Sequence, residues 1–110
     1  MCGDDHVAGF HGECAECLFQ LGVSAYRIGK EGGKGYGPSI KYFEQLQEKC
    51  PQYHSDVPYY LGVMHYAQDE FAEAARSFKA FQDFPNDDPA KQSKDHDKKY
   101  TDVEAVMPEL

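Results

Sequence analysis

One pattern of residues occurs twice in this chain, and that repeat constrains the fold more than any other feature. Each copy contains a Leu-Gly pair, then a small residue followed four positions later by Phe, then a proline. The first copy is Leu21-Gly22, Ser39-x3-Phe43 and Pro51, and the second is Leu61-Gly62, Ala74-x3-Phe78 and Pro85. Such a pattern is typical of helix pairs that stack on copies of themselves, and stacked helix pairs usually serve to bind other chains.

The spacing between the copies supports a true internal repeat. Phe43 and Phe78 lie 35 positions apart, and Pro51 and Pro85 lie 34 apart. Gly22 and Gly62 are separated by 40, which is about five residues too many for a repeat period of roughly 34–35. The surplus lies in a glycine-rich insertion at residues 31–35, where the turn between the first two helices is expected.

On these residues the chain resembles the tetratricopeptide repeat (TPR) family over about residues 15–86. The family pattern is W-x2-L-G-x2-Y, then A-x3-F, then P. Leu18 and Pro58 stand in its Trp position, and Ala25 and His65 stand in its Tyr position. The resemblance implies an all-α fold of antiparallel helix pairs, stacked as a short right-handed superhelix.

The predicted organisation has four parts: a flexible lead-in (1–12), a first repeat (13–52), a second repeat (53–86), and a C-terminal capping helix with its tail (87–110). Helices are expected at about 13–29, from 36, from a cap at Ser55 or Asp56, at 71–84 and at 89–105. Gly29 is interpreted as a helix stop. Helical spacing predicts two buried sets: Leu18, Leu21, Ala25 and Ile28 in the first helix, and Phe71, Ala74, Ala75, Phe78 and Phe81 in the fourth.

In TPR arrays the first helix of each pair lines a concave groove, so the resemblance implies a set of partner-binding residues. Carried onto this sequence they are Phe19, Val23, Tyr26, Arg27, Tyr59, Val63 and Tyr66. Phe19, Val23 and Tyr26 also form a second apolar stripe on the first helix, beside the core stripe. Three explanations stay open for this stripe: a partner groove, a dimer interface, or internal cover by the lead-in or the capping helix.

The groove chemistry favours one class of ligand. TPR domains that clamp a C-terminal carboxylate carry Asn where this chain has Val23 and Val63, so a carboxylate clamp is not expected. Tyrosine-rich, aliphatic walls suit the apolar face of a helix or an extended segment. The resulting hypothesis is a protein-binding adaptor without catalytic residues or cofactor. Because helix-pair arrays usually need about three repeats, the capping helix, homodimerisation or a permanent partner is expected to complete the core.

Cys14-x2-Cys17, together with His6 and His11, supports an alternative function. Two cysteines and two histidines are enough ligands for a tetrahedral zinc site, and a Cys-x2-Cys at a helix start also suits thiol redox chemistry. The main interpretation is that both cysteines are ordinary free thiols of the first helix. Four cysteines with no secretory signal favour free thiols in a reducing, cytoplasmic compartment. A bacterial lipoprotein whose signal peptide is missing from this sequence is the alternative, suggested by Cys2.

Composition excludes several classes of protein. At 110 residues and 41% hydrophobic, the chain has room for one small core and is too apolar for full disorder. The formal net charge of −8 argues against a nucleic-acid partner. No apolar run approaches the roughly 18 residues of a membrane span.

Overall fold

The structure, a computed structural model, describes residues 14–32 and 35–110. Within these ranges the chain forms five α-helices and no strand, so the all-α prediction is confirmed. The helices are α1 (Ala15–Gly32), α2 (Gly37–Lys49), α3 (Asp56–Ala67), α4 (Phe71–Gln82) and α5 (His96–Val106). Short 3-10 turns occupy Pro89–Lys91 and Met107–Glu109. The described residues fall into two compact units, and the boundary between the units lies between Tyr53 and His54.

The first unit is built on a hairpin of α1 and α2. The buried residues of α1 are Ala15, Leu18, Gly22 and Gly29, which recur at spacings of three, four and seven and so share one face. From α2, Phe43 and Leu46 are completely buried. Ser39 is also buried, and its hydroxyl donates to the Gly22 carbonyl at 2.7 Å. This bond satisfies a polar group that burial would otherwise penalise.

The same close contact joins the two helices of each hairpin. A Cβ built on Gly22 would lie 2.6 Å from Cε1 of Phe43, and one built on Gly62 would lie still closer to the Phe78 ring. Real Cβ atoms essentially never come within 3.0 Å of another heavy atom. The Leu-Gly and Phe positions of the sequence repeat therefore correspond to one packing contact made twice.

The second unit contains α3, α4 and the C-terminal segment. Its hydrophobic cluster is formed by Ala74, Phe78, Phe81 and Val103, so α5 shares a core with the α3–α4 hairpin. Partly buried side chains from both ends of the unit pack against this cluster: Tyr59, Val63, Tyr100, Val106, Met107 and Leu110. The segment predicted as a capping helix therefore contributes apolar contacts to the second unit.

A buried ion pair fixes α5 against the start of α3. Lys99 Nζ lies 3.1 Å from Asp56 Oδ1, and both side chains are largely buried, at 13% and 8% exposure. The Ser93 hydroxyl also donates to Asp56, and Lys99 lies 5.2 Å from the centre of the Tyr59 ring. Burial is the largest single influence and lowers the pKa of Lys99, but the charge of Asp56, its hydrogen bond with Lys99, and smaller contributions from Tyr60 and Asp95 together outweigh it and raise that pKa above its ordinary value.

Two helix ends differ from the predictions, the first because Gly29 has a packing role rather than a terminating one. Gly29 does not stop α1, which continues to Gly32 and so includes two residues of the predicted insertion. Gly29 lies within a helix turn where the Gly35 carbonyl approaches so closely that a Cβ would not fit. Gly29 is therefore needed for close packing and does not mark the end of the helix. At the other end of the repeat, α4 ends at Gln82, two residues before the predicted Phe84.

The last helix also begins later than predicted. Asp88 does cap a turn, since its carboxylate accepts the Ala90 amide at 3.0 Å, but that turn is only a 3-10 segment. The Lys91 carbonyl accepts the Ser55 amide, and extended backbone at Gln92 separates the turn from α5. This tertiary hydrogen bond explains why the helix starts at His96.

Neither predicted cap of α3 works through its own side chain. Ser55 occupies the N-cap position without a side-chain cap bond, and its hydroxyl lies 3.2 Å from His96 Nδ1. His54 supplies the missing acceptor instead, because the Asp56 amide donates to its Nδ1 at 3.0 Å. Asp56 itself is engaged with Lys99.

Two residues that were predicted to be buried are exposed. Ile28 is 64% exposed and Phe71 is 44% exposed. The buried face of α1 follows Leu18, Gly22 and Gly29, which leaves Ile28 beside it. Phe71 has the spacing of the α4 core but is the first residue of the helix, so no earlier turn of α4 packs beside it.

Candidate functional site

The predicted groove residues of the first unit are covered to different degrees. Phe19 is half-buried, and its ring contacts Phe43 edge-on at 6.3 Å and Tyr53 at 5.8 Å. Val23 is half-buried, and Arg27 is exposed. The apolar part of this set is thus partly covered, with Phe19 joined to the α1–α2 core.

In the second unit, two of the three predicted groove residues have an internal role. Tyr59 lies 5.4 Å from Phe81 and 6.4 Å from Phe78, between ring centres. Val63 packs against the same cluster. The C-terminal helix contributes Val103 to this cluster, so it shares in covering this part of α3. An open groove lined by Tyr59 and Val63 is therefore not supported.

The third of these residues, Tyr66, forms an exposed aromatic pair with Phe71. The two rings meet at 5.6 Å in an edge-on arrangement, with 40% and 44% of the residues exposed. Tyr66 comes from the last turn of α3 and Phe71 from the first residue of α4. The pair, called here the 66/71 pair, thus lies at the turn end of the hairpin.

The first unit has a related pair at the same place in its hairpin. Tyr26 near the end of α1 stacks on Tyr36 just before α2, with ring centres 5.6 Å apart and a 17° angle between the planes. Tyr36 and Phe71 lie 35 positions apart, the spacing of the repeat. Both rings of the first pair are half-buried, whereas both rings of the 66/71 pair are exposed.

The turn between α3 and α4 carries an unusual backbone conformation. Asp69 has a φ of +63°, a left-handed conformation that glycine adopts most easily and that Asp and Asn tolerate better than other residues. Its amide donates to the Tyr66 carbonyl at 3.1 Å, which closes the helix end. Asp69, Glu70 and Glu73 are all exposed and are called here the acidic rim.

The neighbours of Glu70 lower the pKa of its carboxyl group. His65 Nδ1 lies 2.7 Å from Glu70 Oε1, and the Gln68 side-chain amide donates to the same oxygen at 3.0 Å. The hydrogen bond from His65, followed by that from Gln68, lowers the pKa of Glu70 below 4.5. His65 stands in the Tyr position of the repeat and is buried, so its ring ties the core of the hairpin to the acidic rim.

The cysteines correct the prediction of free thiols. Cys14 and Cys17 form a disulfide at the start of α1, and Cys50 is disulfide-bonded as well. The first helical turn brings the Cys14 and Cys17 Cα atoms to 4.9 Å, within the range that a disulfide requires. Because disulfides are rare in reducing compartments, these bonds weigh against the expectation of such a compartment.

The disulfide also removes the basis of the zinc hypothesis in this oxidised form. A sulfur joined to another sulfur cannot ligate zinc as a thiolate. His6 and His11 lie outside the described residues, and within the described ranges no group of three or more His, Cys, Asp or Glu is arranged to hold a metal ion. None of the described helices combines the length and apolar character needed to cross a bilayer.

An open cleft of about 430 Å³ lies between the end of α4 and the start of α5. It is lined by Gln82, Phe84, Asn86, His96, Asp97, Tyr100 and Thr101. The His96 ring lies 5.0 Å from Phe81, and its Nδ1 is within 3.2 Å of the Ser55 hydroxyl. These contacts give His96 a packing role in the second unit.

Comparisons with protein-family models, with curated proteins and with solved structures find no match to this chain. The resemblance to the TPR family and the superhelical stacking of its helix pairs therefore remain predictions from the sequence.

Sequence reasoning included Tyr66 in the candidate site but missed its partner. Phe71 was assigned to the core because it precedes Ala74 by three residues and Phe78 by seven. One signal was present: Gln68-Asp69-Glu70 is a polar run directly before Phe71, which indicates a solvent-facing turn. A residue that opens a helix after such a turn is a weaker candidate for the core.

Proposed function

We propose that this chain is a non-catalytic protein-binding module whose second unit binds a partner through the 66/71 pair. The observation that carries this proposal is the exposure of two contacting aromatic rings at the end of one hairpin. Single exposed apolar residues are ordinary, but two joined rings present a continuous apolar surface. Tyr is also among the residues that most often anchor binding interfaces.

The acidic rim determines the chemistry of the partner. Asp69, Glu70 and Glu73 all follow Tyr66 within seven residues, and the first cation after them is Arg76. Arg76 pairs with Glu73 at 2.8 Å, and the hydrogen bond from His65 lowers the pKa of Glu70. We infer a partner segment with an apolar or aromatic side chain next to Lys or Arg, because such a cation can contact both the carboxylates and the ring faces.

A second copy of this chain is a weaker candidate for the partner. Each chain carries a formal net charge of −8, and two acidic rims brought together would repel. The resemblance to TPR proteins also supports a peptide or protein segment as ligand. The proposed site differs from the groove that the resemblance implies, since Tyr59 and Val63 pack internally and Phe71 takes part instead.

A peptide-display selection tests this function without knowledge of the natural partner. A random dodecapeptide library is panned on the wild type, on a Tyr66→Ala/Phe71→Ala variant and on Ile28→Ala. Ile28 is the matched control, because it is more exposed than either aromatic residue but belongs to the other unit. Circular dichroism first establishes that all three proteins are equally folded.

The proposal expects enrichment of peptides with Lys or Arg beside an apolar residue on the wild type and on Ile28→Ala, and none on the double variant. Equal enrichment on the double variant would contradict it, as would the absence of any enriched family on the wild type. Sedimentation of the wild type alone tests whether a second copy of the chain binds at the 66/71 pair. A concentration-dependent dimer that the double variant abolishes would assign the 66/71 pair to self-association and would contradict the proposed partner.

A further inference from the structure

We propose that the Cys14–Cys17 disulfide is a thiol–disulfide exchange site that accepts two electrons from a dithiol. Its position suits exchange, because Cys17 is exposed and Cys14 is half-buried at the start of α1. As a crosslink, the bond is expected to add little to the stability of the fold. It joins residues only three positions apart, and the loop entropy that a disulfide removes from the unfolded chain falls as the loop becomes shorter.

The geometry identifies Cys14 as the sulfur that leaves. Cys14 precedes the first residue of an 18-residue helix, and its Sγ accepts the backbone amide of Cys17 at 3.0 Å. That amide and the positive end of the helix dipole both stabilise negative charge on Cys14 Sγ. The first-turn carboxylate, Glu16, accepts hydrogen bonds from the Gln20 side chain at 2.7 Å and from the Tyr53 hydroxyl.

The exchange proceeds in two balanced steps. A thiolate of the dithiol attacks the exposed Cys17 Sγ, the bond between the two protein sulfurs breaks, and its electron pair leaves on Cys14 Sγ. The second thiol of the reductant then attacks the reductant's first sulfur, which is bonded to Cys17 in the mixed disulfide, and so releases Cys17 as a thiolate. The reductant becomes a disulfide, and the protein gains two electrons and two protons. A leaving thiolate that is already stabilised accelerates the first step.

Cys50 provides a control within the same molecule. It is also disulfide-bonded, but it is only 8% exposed and occupies the C-cap of α2, where its amide donates to the Leu46 carbonyl. Burial and the negative end of a helix dipole both disfavour a thiolate at this place. The two cysteine environments are therefore opposite in exposure and in the helix end that they occupy.

The test is a redox titration of the oxidised, full-length wild type. The protein is equilibrated in buffers of reduced and oxidised dithiothreitol at graded ratios, quenched with acid, and alkylated. Mass spectrometry of peptides then gives the reduced fraction at each cysteine. We expect the equilibrium constant for reduction of Cys14–Cys17 to exceed that of the Cys50 disulfide at least a hundredfold, about 60 mV at 29.6 mV per tenfold change. Equal constants, or prior reduction of Cys50, would overturn the proposal.

A double variant separates exchange from a structural role. Cys14→Ser/Cys17→Ser is expected to unfold at nearly the same denaturant concentration as the oxidised wild type, because a serine hydroxyl at position 14 can still accept the backbone amide of position 17. A large loss of stability would identify the disulfide as a structural crosslink and overturn the proposal. The redox titration needs no variant, so the result stands even if this one folds poorly. Neither measurement depends on the 66/71 pair.

Discussion

The ring of Phe78 lies directly against the backbone of Gly62, with no room between them for a methyl group. Phe43 and Gly22 have the same relationship in the first hairpin. In both hairpins the Phe is at most 4% exposed, so the contact is part of the core. A glycine within a helix normally weakens it, and this contact explains why both hairpins retain one.

Substitution of Gly62 by alanine should therefore destabilise the protein despite alanine's higher helix propensity. Propensity alone favours alanine by about 1 kcal/mol, whereas overpacking of a tight core costs roughly 1–3 kcal/mol. Because the Phe78 ring is confined, we expect a net loss of up to about 2 kcal/mol in the free energy of unfolding for Gly62→Ala. Urea denaturation measures this difference, and Gly22→Ala should behave similarly.

Gly32→Ala is the matched control for both variants. Gly32 also belongs to a helix, but a Cβ there would have no heavy atom within 4 Å. We expect this substitution to be neutral or to stabilise by up to about 1 kcal/mol. If Gly62→Ala stabilised the protein as much as Gly32→Ala does, the close contact with Phe78 would be refuted.

The ion pair of Lys99 and Asp56 should be strongly coupled. Replacing Lys99 with Met leaves the carboxylate of Asp56 buried without its cation, a change that costs about 3 kcal/mol in comparable buried pairs. Asp56→Asn removes the charge that then lacks a partner, so the double variant should lose less than the sum of the single ones by about 1–3 kcal/mol. A chemical-denaturation double-mutant cycle measures this coupling. Additive losses would show that the pair acts through packing alone.

Glu70 should contribute to the acid sensitivity of folding. Its pKa is lowered in the folded state by His65 and Gln68, so its stabilising effect is present above pH 4.5 and is lost as the pH falls through the lowered value. Between about pH 5 and pH 3 the wild type should therefore lose more free energy of unfolding than Glu70→Gln. Denaturation at a series of pH values measures this, with Glu104→Gln, an exposed carboxylate on α5, as control. Parallel curves for wild type and Glu70→Gln would contradict the assigned contact.

Substitution of Asp69 by glycine should change stability and peptide binding in opposite directions. Glycine adopts the φ of +63° more easily than Asp does, so Asp69→Gly should raise the free energy of unfolding by up to about 1 kcal/mol. The same variant should weaken binding of cationic peptides because the acidic rim loses a charge. Asp69→Asn separates the two effects, since Asn tolerates this conformation but is neutral: it should bind as weakly as Asp69→Gly without the gain in stability. Undiminished binding by both would exclude Asp69 from the site.

The hairpins could be predicted from sequence because their determinants are local. Pro38 and Pro58 occur in the first turns of α2 and α3 as expected, and the repeated Gly and Phe positions meet as the pattern implies. The start of α5 could not be predicted in this way. It depends on a hydrogen bond between the Ser55 amide and the Lys91 carbonyl, two residues far apart in the chain.

The site was only partly predictable for a related reason. Tyr59, Val63 and Tyr66 lie on one helix, but whether each is covered depends on where the C-terminal segment packs. Exposure of Phe71 depends on the turn that precedes it rather than on helical spacing. The disulfide was missed because a general expectation about compartments was weighed above a local fact: residues three apart at a helix start are within bonding distance.

The central claim is that the 66/71 pair is a binding site, and the affinity of a selected peptide tests it most directly. Isothermal titration calorimetry gives the Kd of the most enriched peptide for the wild type, Tyr66→Ala, Phe71→Ala and Ile28→Ala. We predict a loss of about tenfold or more for each aromatic variant, as is typical of interface anchors, and less than about twofold for Ile28→Ala. Equal affinities for all four proteins would place the binding surface elsewhere and contradict the account.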